Sequence, residues 1–403
     1  MREINFTKQK ILIVGLVGVF VLAVVMLAVM FLGGKSKNSL GSKGKVENVK
    51  NNNEDKKPKG SDNTVADKNN GQGKQDGIGE NVNKKIAKLT PGKIFGLSIK
   101  KGTNLAMFYE QQKILTIDPY SGKKNSLGTY PFGDVRKFLW NSSSDKAIVN
   151  DTGEYYTYDL NSNLTHRFRD TIDTAIWNKS GDKVIYKYYN SKTHKRKIRI
   201  ADIDGENSQL IVDELPYRKI DLQLQPLSDR VCYYPMPDAR IKGKLFCYDL
   251  DGKNPKEYGG NFGQDYLWSP MGDKILTSFS KEESGNQLVL AVMNKNGGQV
   301  KGLSFATTVK KCVWSKNNID VYCAMVGGAP LDVMLPNGWQ EQIFNSADTF
   351  WKINTETGKK TRLLELEEIP TIIDAEDLIL DPEENFLFFK ARRDGSLWRI
   401  RVR

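Results

Sequence analysis

The chain has 403 residues, 39% hydrophobic and 27% charged, with four cysteines, two histidines and a formal net charge of +12. That length and apolar content allow a large buried core. Two histidines and no Cys-x-x-Cys knuckle leave little for zinc or for a Ser-His-Asp arrangement, so no metal, cofactor or catalytic activity is expected.

Residues 1–10 carry Arg2, Lys8 and Lys10 against Glu3, and Ile11 to Leu32 then runs for 22 residues without a charge. As a helix this run spans roughly 33 Å, enough to cross a hydrocarbon core of about 30 Å. It exceeds the apolar core of about 7 to 15 residues of a cleaved signal peptide. A short cytoplasmic tail (1–10) and an uncleaved transmembrane signal anchor (11–33) are expected. Residues 34–81 are Asn, Lys, Gly, Asp and Ser with hardly an apolar residue. Such a stretch cannot bury enough surface to offset its ordering entropy, so it reads as a disordered linker. Residues 34–90 hold 13 lysines against 7 acids and residues 1–33 add +2, which leaves +4 of the +12 for the remainder. A nucleic-acid binder concentrates positive charge on its folded domain, so nucleic acid is not an expected partner.

From residue 82 onward one pattern returns. Trp268-Ser269-Pro270-Met271-Gly272-Asp273-Lys274-Ile275-Leu276 reads as a strand ending in a large aromatic, a tight turn, and a second strand of apolar residues. Copies are led by Trp140, Trp177 and Trp314, by Leu224 and Leu380, and by a weak first copy at Ser98. Each copy continues into a third strand closed by a polar turn, as in Tyr155–Asn161 or Leu245–Gly252, and then a shorter fourth. Four antiparallel strands per roughly 40 to 45 residues is the arithmetic of a propeller blade. The expected fold is all-β, a seven-bladed β-propeller of four-stranded antiparallel blades over 82–403, preceded by one transmembrane helix and a disordered linker. The Trp-Ser-Pro-x-Gly turn, the strand after it and the Asp-x-x-Gly turn resemble those of the TolB-like and WD-repeat-like propellers. That resemblance implies a fold and leaves function open. The last copy offers only three strands before Arg403, so Lys84–Leu89 is expected to add the fourth and close the ring.

The cysteines form two local pairs, Cys232 with Cys247 and Cys312 with Cys323, each centred on a hairpin turn. Residues symmetric about a turn face one another, so two cross-strand disulfides are expected; buried free thiols are the alternative. Disulfides imply an oxidising compartment, which puts the propeller on the extracytoplasmic side of a single-pass protein of the cell membrane. Gly302-Leu303-Ser304-Phe305-Ala306 lacks the helix a nucleophile elbow requires and reads as a strand end.

Departures from the repeat carry the functional expectation. Three loops between second and third strands are long: Asn190–Arg196, Pro235–Lys244 and Val326–Ala347. The last holds Trp339, Ile343 and Phe344, aromatic and apolar anchors for a partner. Beside it His194, Lys195, Arg196, Lys197, Arg240, Lys242 and Lys244 would form a basic rim. The expected function is a scaffolding or protein-protein interaction module with partners in the cell envelope. A propeller binding glycan or an anionic wall polymer through the rim is the alternative, and an accessory subunit of a hydrolase is the third reading.

Overall fold

Each copy of the repeat folds as four antiparallel strands, and seven such sheets make a propeller ring. The computed structural model describes residues 84–403, except 131, 169 and 170. The expected tail, transmembrane anchor and linker lie outside the described residues. Among the described residues no helix is long and apolar enough to cross a membrane. Blades 1 to 7 are numbered by their inner strands: Phe95–Ile99, Val135–Trp140, Ile172–Trp177, Ile220–Gln225, Asp265–Trp268, Cys312–Trp314 and Ala375–Leu380. Within blades 1 to 6 the strands follow chain order from inner to outer edge.

The repeated tryptophan stitches one blade to the blade before it. Trp140 Nε1 donates to Gly96 O at 2.8 Å, Trp177 to Leu139 O at 2.9 Å and Trp314 to Leu267 O at 3.2 Å. A buried indole N–H needs an acceptor, and the preceding inner strand supplies it. Trp268 follows the blade with Leu224 at the anchor, and its indole nitrogen has no partner among the described residues. The hydrophobic clusters likewise straddle neighbouring blades: Met107 and Tyr109 pack with Phe138 and Trp140, and Leu276 and Leu290 with Trp314 and Ile353. Gly272, at φ +64, is required twice over, since a Cβ there would meet Pro226 O of the preceding blade at 2.4 Å.

The ring closes through a strand near the start of the described residues. Ile86–Lys88 pairs antiparallel with Leu397–Arg401, in the register Ile86 to Ile400 and Lys88 to Trp398, and completes blade 7. The added strand makes blade 7 four-stranded like the others and covers the edge of Leu397–Arg401. Both expected disulfides form. Cys232 and Cys247 face each other on the second and third strands of blade 4, and Cys312 and Cys323 on the first and second strands of blade 6.

Candidate functional site

Strands that alternate in direction put the second-to-third loops and the blade-to-blade connections on one face, here called the upper face. These loops differ sharply around the ring. They span residues 111–112, 152–153 and 191–194 in blades 1 to 3, then 236–241, 281–287, 326–348 and 392–396 in blades 4 to 7. The loop expected over Asn190–Arg196 is therefore a four-residue turn, because the strands run to Asn190 and resume at Lys195. The 281–287 loop was not singled out by sequence, and it proves to be part of the same structure.

The loops of blades 4, 5 and 6 are bonded into one cap. Ser284 N donates to Ala239 O at 2.9 Å, and Leu335 N to Gly285 O at 2.9 Å. Ala239 N donates to Asn337 Oδ1 at 2.8 Å, and Asn286 Nδ2 donates to Leu331 O. The blade 6 loop thus reaches across two neighbours, with a short helix over Asn337–Gln340 at its centre.

Trp339, expected as an exposed anchor, is buried to 4% exposure. Its indole nitrogen donates to Asp374 Oδ1 at 2.9 Å, and Arg392 Nη1 donates to its backbone carbonyl at 2.7 Å. The Arg392 guanidinium lies 4.2 Å from the ring centroid and the Lys311 ammonium 5.0 Å. Lys311 is fully buried, donating to Asp348 Oδ2 and Asp374 Oδ1, both at 2.6 Å, and to Ala375 O at 3.0 Å. Burial pushes the Asp348 carboxyl up, with the Lys311 ammonium working against it. This Trp339 is therefore a fastener of the loop onto blade 7, which corrects its reading as a docking residue. Phe344 is half-buried and packs with Leu288, Leu335 and Trp339. Ile343, at 62% exposure, does face outward, together with Met236, Ile241 and Leu331, the last at 89%.

The basic rim is largely matched by acids. Lys195 pairs with Glu214 at 2.9 Å, Lys197 with Asp213, Arg240 with Asp238 at 2.7 Å and Lys244 with Glu257 at 2.8 Å. Arg240 holds the Asp238 carboxyl down to about 2. Arg196 lies over the Tyr189 ring and Lys242 over Phe262, both at 5.1 Å. Exposed His194, at φ +56, meets Tyr189 Oη through Nδ1 at 2.9 Å. Such pairing offsets four of the rim's six cations.

The central channel holds what sequence reading missed. Near the upper ends of the inner strands, Lys137 of blade 2, Asp221 of blade 4, Asp265 of blade 5, Lys310 at the entry to blade 6 and Asp377 of blade 7 act on one another electrostatically. Lys310 is ion-paired with Asp221. Tyr234 Oη donates to Asp221 Oδ2 at 3.2 Å and accepts from Gln223 Nε2 at 2.9 Å. Burial opposes ionisation of both partners. The pairing prevails, holding Asp221 below and Lys310 above their usual ranges. Asp265, lacking such a partner, is pushed up by burial, and its Oδ2 is buried without a hydrogen bond. The signal was available: Lys137, Asp221, Asp265 and Asp377 each stand three residues before the repeat's anchor, at Trp140, Leu224, Trp268 and Leu380.

No protein-family model matches the chain, and no curated protein is similar to it in sequence. Solved structures share its fold. An oligogalacturonate lyase in complex with manganese superposes with a TM-score of 0.58 at 11% identity, over 79% of this chain and 93% of that one. The oligogalacturonate lyase of Vibrio parahaemolyticus gives 0.56 at 11% identity over the same shares. The Cps50 (Swd1) β-propeller domain of Myceliophteria thermophila gives 0.52 at 11% identity, over 79% of this chain and 98% of that one. Two of these neighbours are enzymes by name and the third is a propeller domain, and at this identity the likeness is one of fold. The chain is thus similar to known proteins as a seven-bladed propeller.

Proposed function

We propose that the chain is a membrane-tethered, extracytoplasmic propeller that works as a protein-interaction or scaffolding module and docks its partner on the cap of blades 4 to 6. The observation that carries this reading is the exposure of Met236, Ile241, Leu331 and Ile343 on loops whose backbones are bonded to one another. Apolar side chains held on a fixed backbone lose little conformational freedom on binding, so their burial converts efficiently into affinity. The two disulfides support an oxidising compartment, and the uncharged run Ile11–Leu32 supports the tether. The matched charges of the rim favour a protein partner over an anionic polymer.

The test is crosslinking and affinity capture of the full-length protein from its native membrane, set beside the double variant Leu331→Asp, Ile343→Asp. Both side chains are exposed, so the variant keeps the fold. Loss of a captured protein in the variant supports the cap as the docking site. The same partner captured equally by both forms sinks it.

A further inference from the structure

A recess of about 230 Å³ opens where the cap meets the inner strands. Met236 of the blade 4 loop lines it, with Trp339 and Gln340 of the blade 6 loop. Lys310, at the entry to blade 6, and Glu376, Asp377 and Arg392 of blade 7 complete the wall. Three blades thus converge on one hollow.

Every charge that lines it is already answered from within the chain. Lys310 is paired with Asp221, Glu376 and Asp377 with Lys390 at 2.9 and 2.8 Å, and Arg392 with Glu376 at 3.2 Å. An incoming cation or anion would lose its hydration and meet a like charge for each opposite one. What stays open to an occupant is the exposed thioether of Met236 and the half-buried Gln340 carboxamide, which makes no hydrogen bond among the described residues.

These walls favour an aromatic ring over an aliphatic group. The paired ions still present free surface, the Lys310 side chain being 38% exposed and that of Asp377 61%. An aliphatic group would cover them and return nothing. A ring turns a negative face to a cation and a positive edge to a carboxylate, and a methionine sulfur packs well at its edge. At about 30 Å³ per water the recess holds about eight non-hydrogen atoms, which is the size of a tyrosine side chain. Its hydroxyl would meet the unengaged amide.

We propose that the recess receives a tyrosine side chain of the protein that docks on the cap, its ring against Met236 and its hydroxyl on the Gln340 carboxamide. This role rests on the cap being the docking site and adds the chemistry of the partner's anchor. A tyrosine seated in a pocket is a common centre of interface affinity.

The first test needs no partner. Saturation-transfer NMR titrations of the full-length protein in detergent compare N-acetyl-tyrosinamide with the corresponding phenylalanine, leucine and lysine amides. The tyrosine amide should bind at least about fivefold more tightly than the leucine and lysine amides. Met236→Trp, which fills the recess from an exposed position, should weaken it at least about tenfold, and Gln340→Leu should reduce it to the level of the phenylalanine amide. The double variant Leu331→Asp, Ile343→Asp should bind the probes as the parent does. No binding of the tyrosine amide, equal binding of the leucine or lysine amide, or binding unmoved by Met236→Trp overturns the proposal. The second test repeats the capture from native membrane with Met236→Trp. A partner lost in the double variant and kept by Met236→Trp overturns the tyrosine anchor and leaves the cap reading standing. Loss in both variants, together with the tyrosine preference, supports it.

Discussion

The upper face is two half-rings of different construction. Over blades 1 to 3 the second-to-third loops are turns of two to four residues, at 111–112, 152–153 and 191–194, while over blades 4 to 6 they lengthen and fuse into a cap. Both halves attract attention in sequence, one for its cations and one for its tryptophan. The strand that follows the blade 3 turn presents charges already answered by Glu214 and Asp213. The blade 6 loop spends its tryptophan on an internal contact with Asp374 and Arg392, and turns outward residues of less distinguished type. An aromatic in a long loop is as apt to hold the loop down as to receive a partner.

The sharpest way to break this contrast is to remove the charge beneath the cap. Lys311→Met leaves Asp348 buried without its cation and Asp374 with only Arg392, 3.6 Å away, and should cost about 3 to 5 kcal/mol in denaturant unfolding. Trp339→Ala should cost about 3 kcal/mol by the same measurement, and limited proteolysis should then cut within 326–348. A stability loss below about 1 kcal/mol in both would mean that the loop is not fastened as described.

A smaller effect is expected from Asp265, whose carboxyl burial raises. A carboxyl with a raised folded value contributes stability in full below its unfolded value, near 3.9, and loses it as pH rises through the folded one. Asp265→Asn should therefore flatten the fall in stability over that acidic window, read from melting temperature against pH. An unchanged profile would remove Asp265 from the titrating groups. Smallest of all, Lys195→Glu should move stability by no more than about 0.5 kcal/mol, since its pair with Glu214 is solvent-exposed. A larger loss would show that the blade 3 half is built more like the cap than its short turns imply.

The fold was legible because its signals repeat. Anchor, turn and strand recur with each blade, so that a degenerate copy such as Ser98 is found by its neighbours, and the disulfide pairs are symmetric about hairpin turns within one blade. The site was not legible in the same way. Trp339 meets Asp374 and Arg392 from the next blade, and Asn337 meets Ala239 from two blades back. Such contacts carry no period, and nothing local distinguishes a tryptophan held by them from one left free. The channel acids lie between these cases. Their place three residues before the anchor is periodic, but a charged residue in one copy stands where another copy has Phe95 or Thr174, and the pattern shows only when the inner strands are seen to share one axis.

The seam of the ring also sets an order of events in time. Ile86–Lys88 finds its partner only in Leu397–Arg401, more than three hundred residues later in the chain. Local hairpins within blades 1 to 6 can form as they leave the ribosome, whereas this pairing waits until nearly the whole domain has been made. Until then this strand has no sheet to join, and blade 7 has a bare edge. In pulse-labelling hydrogen exchange the amides of residues 86–88 should gain protection last, so that the earliest of the described strands is the last to become native.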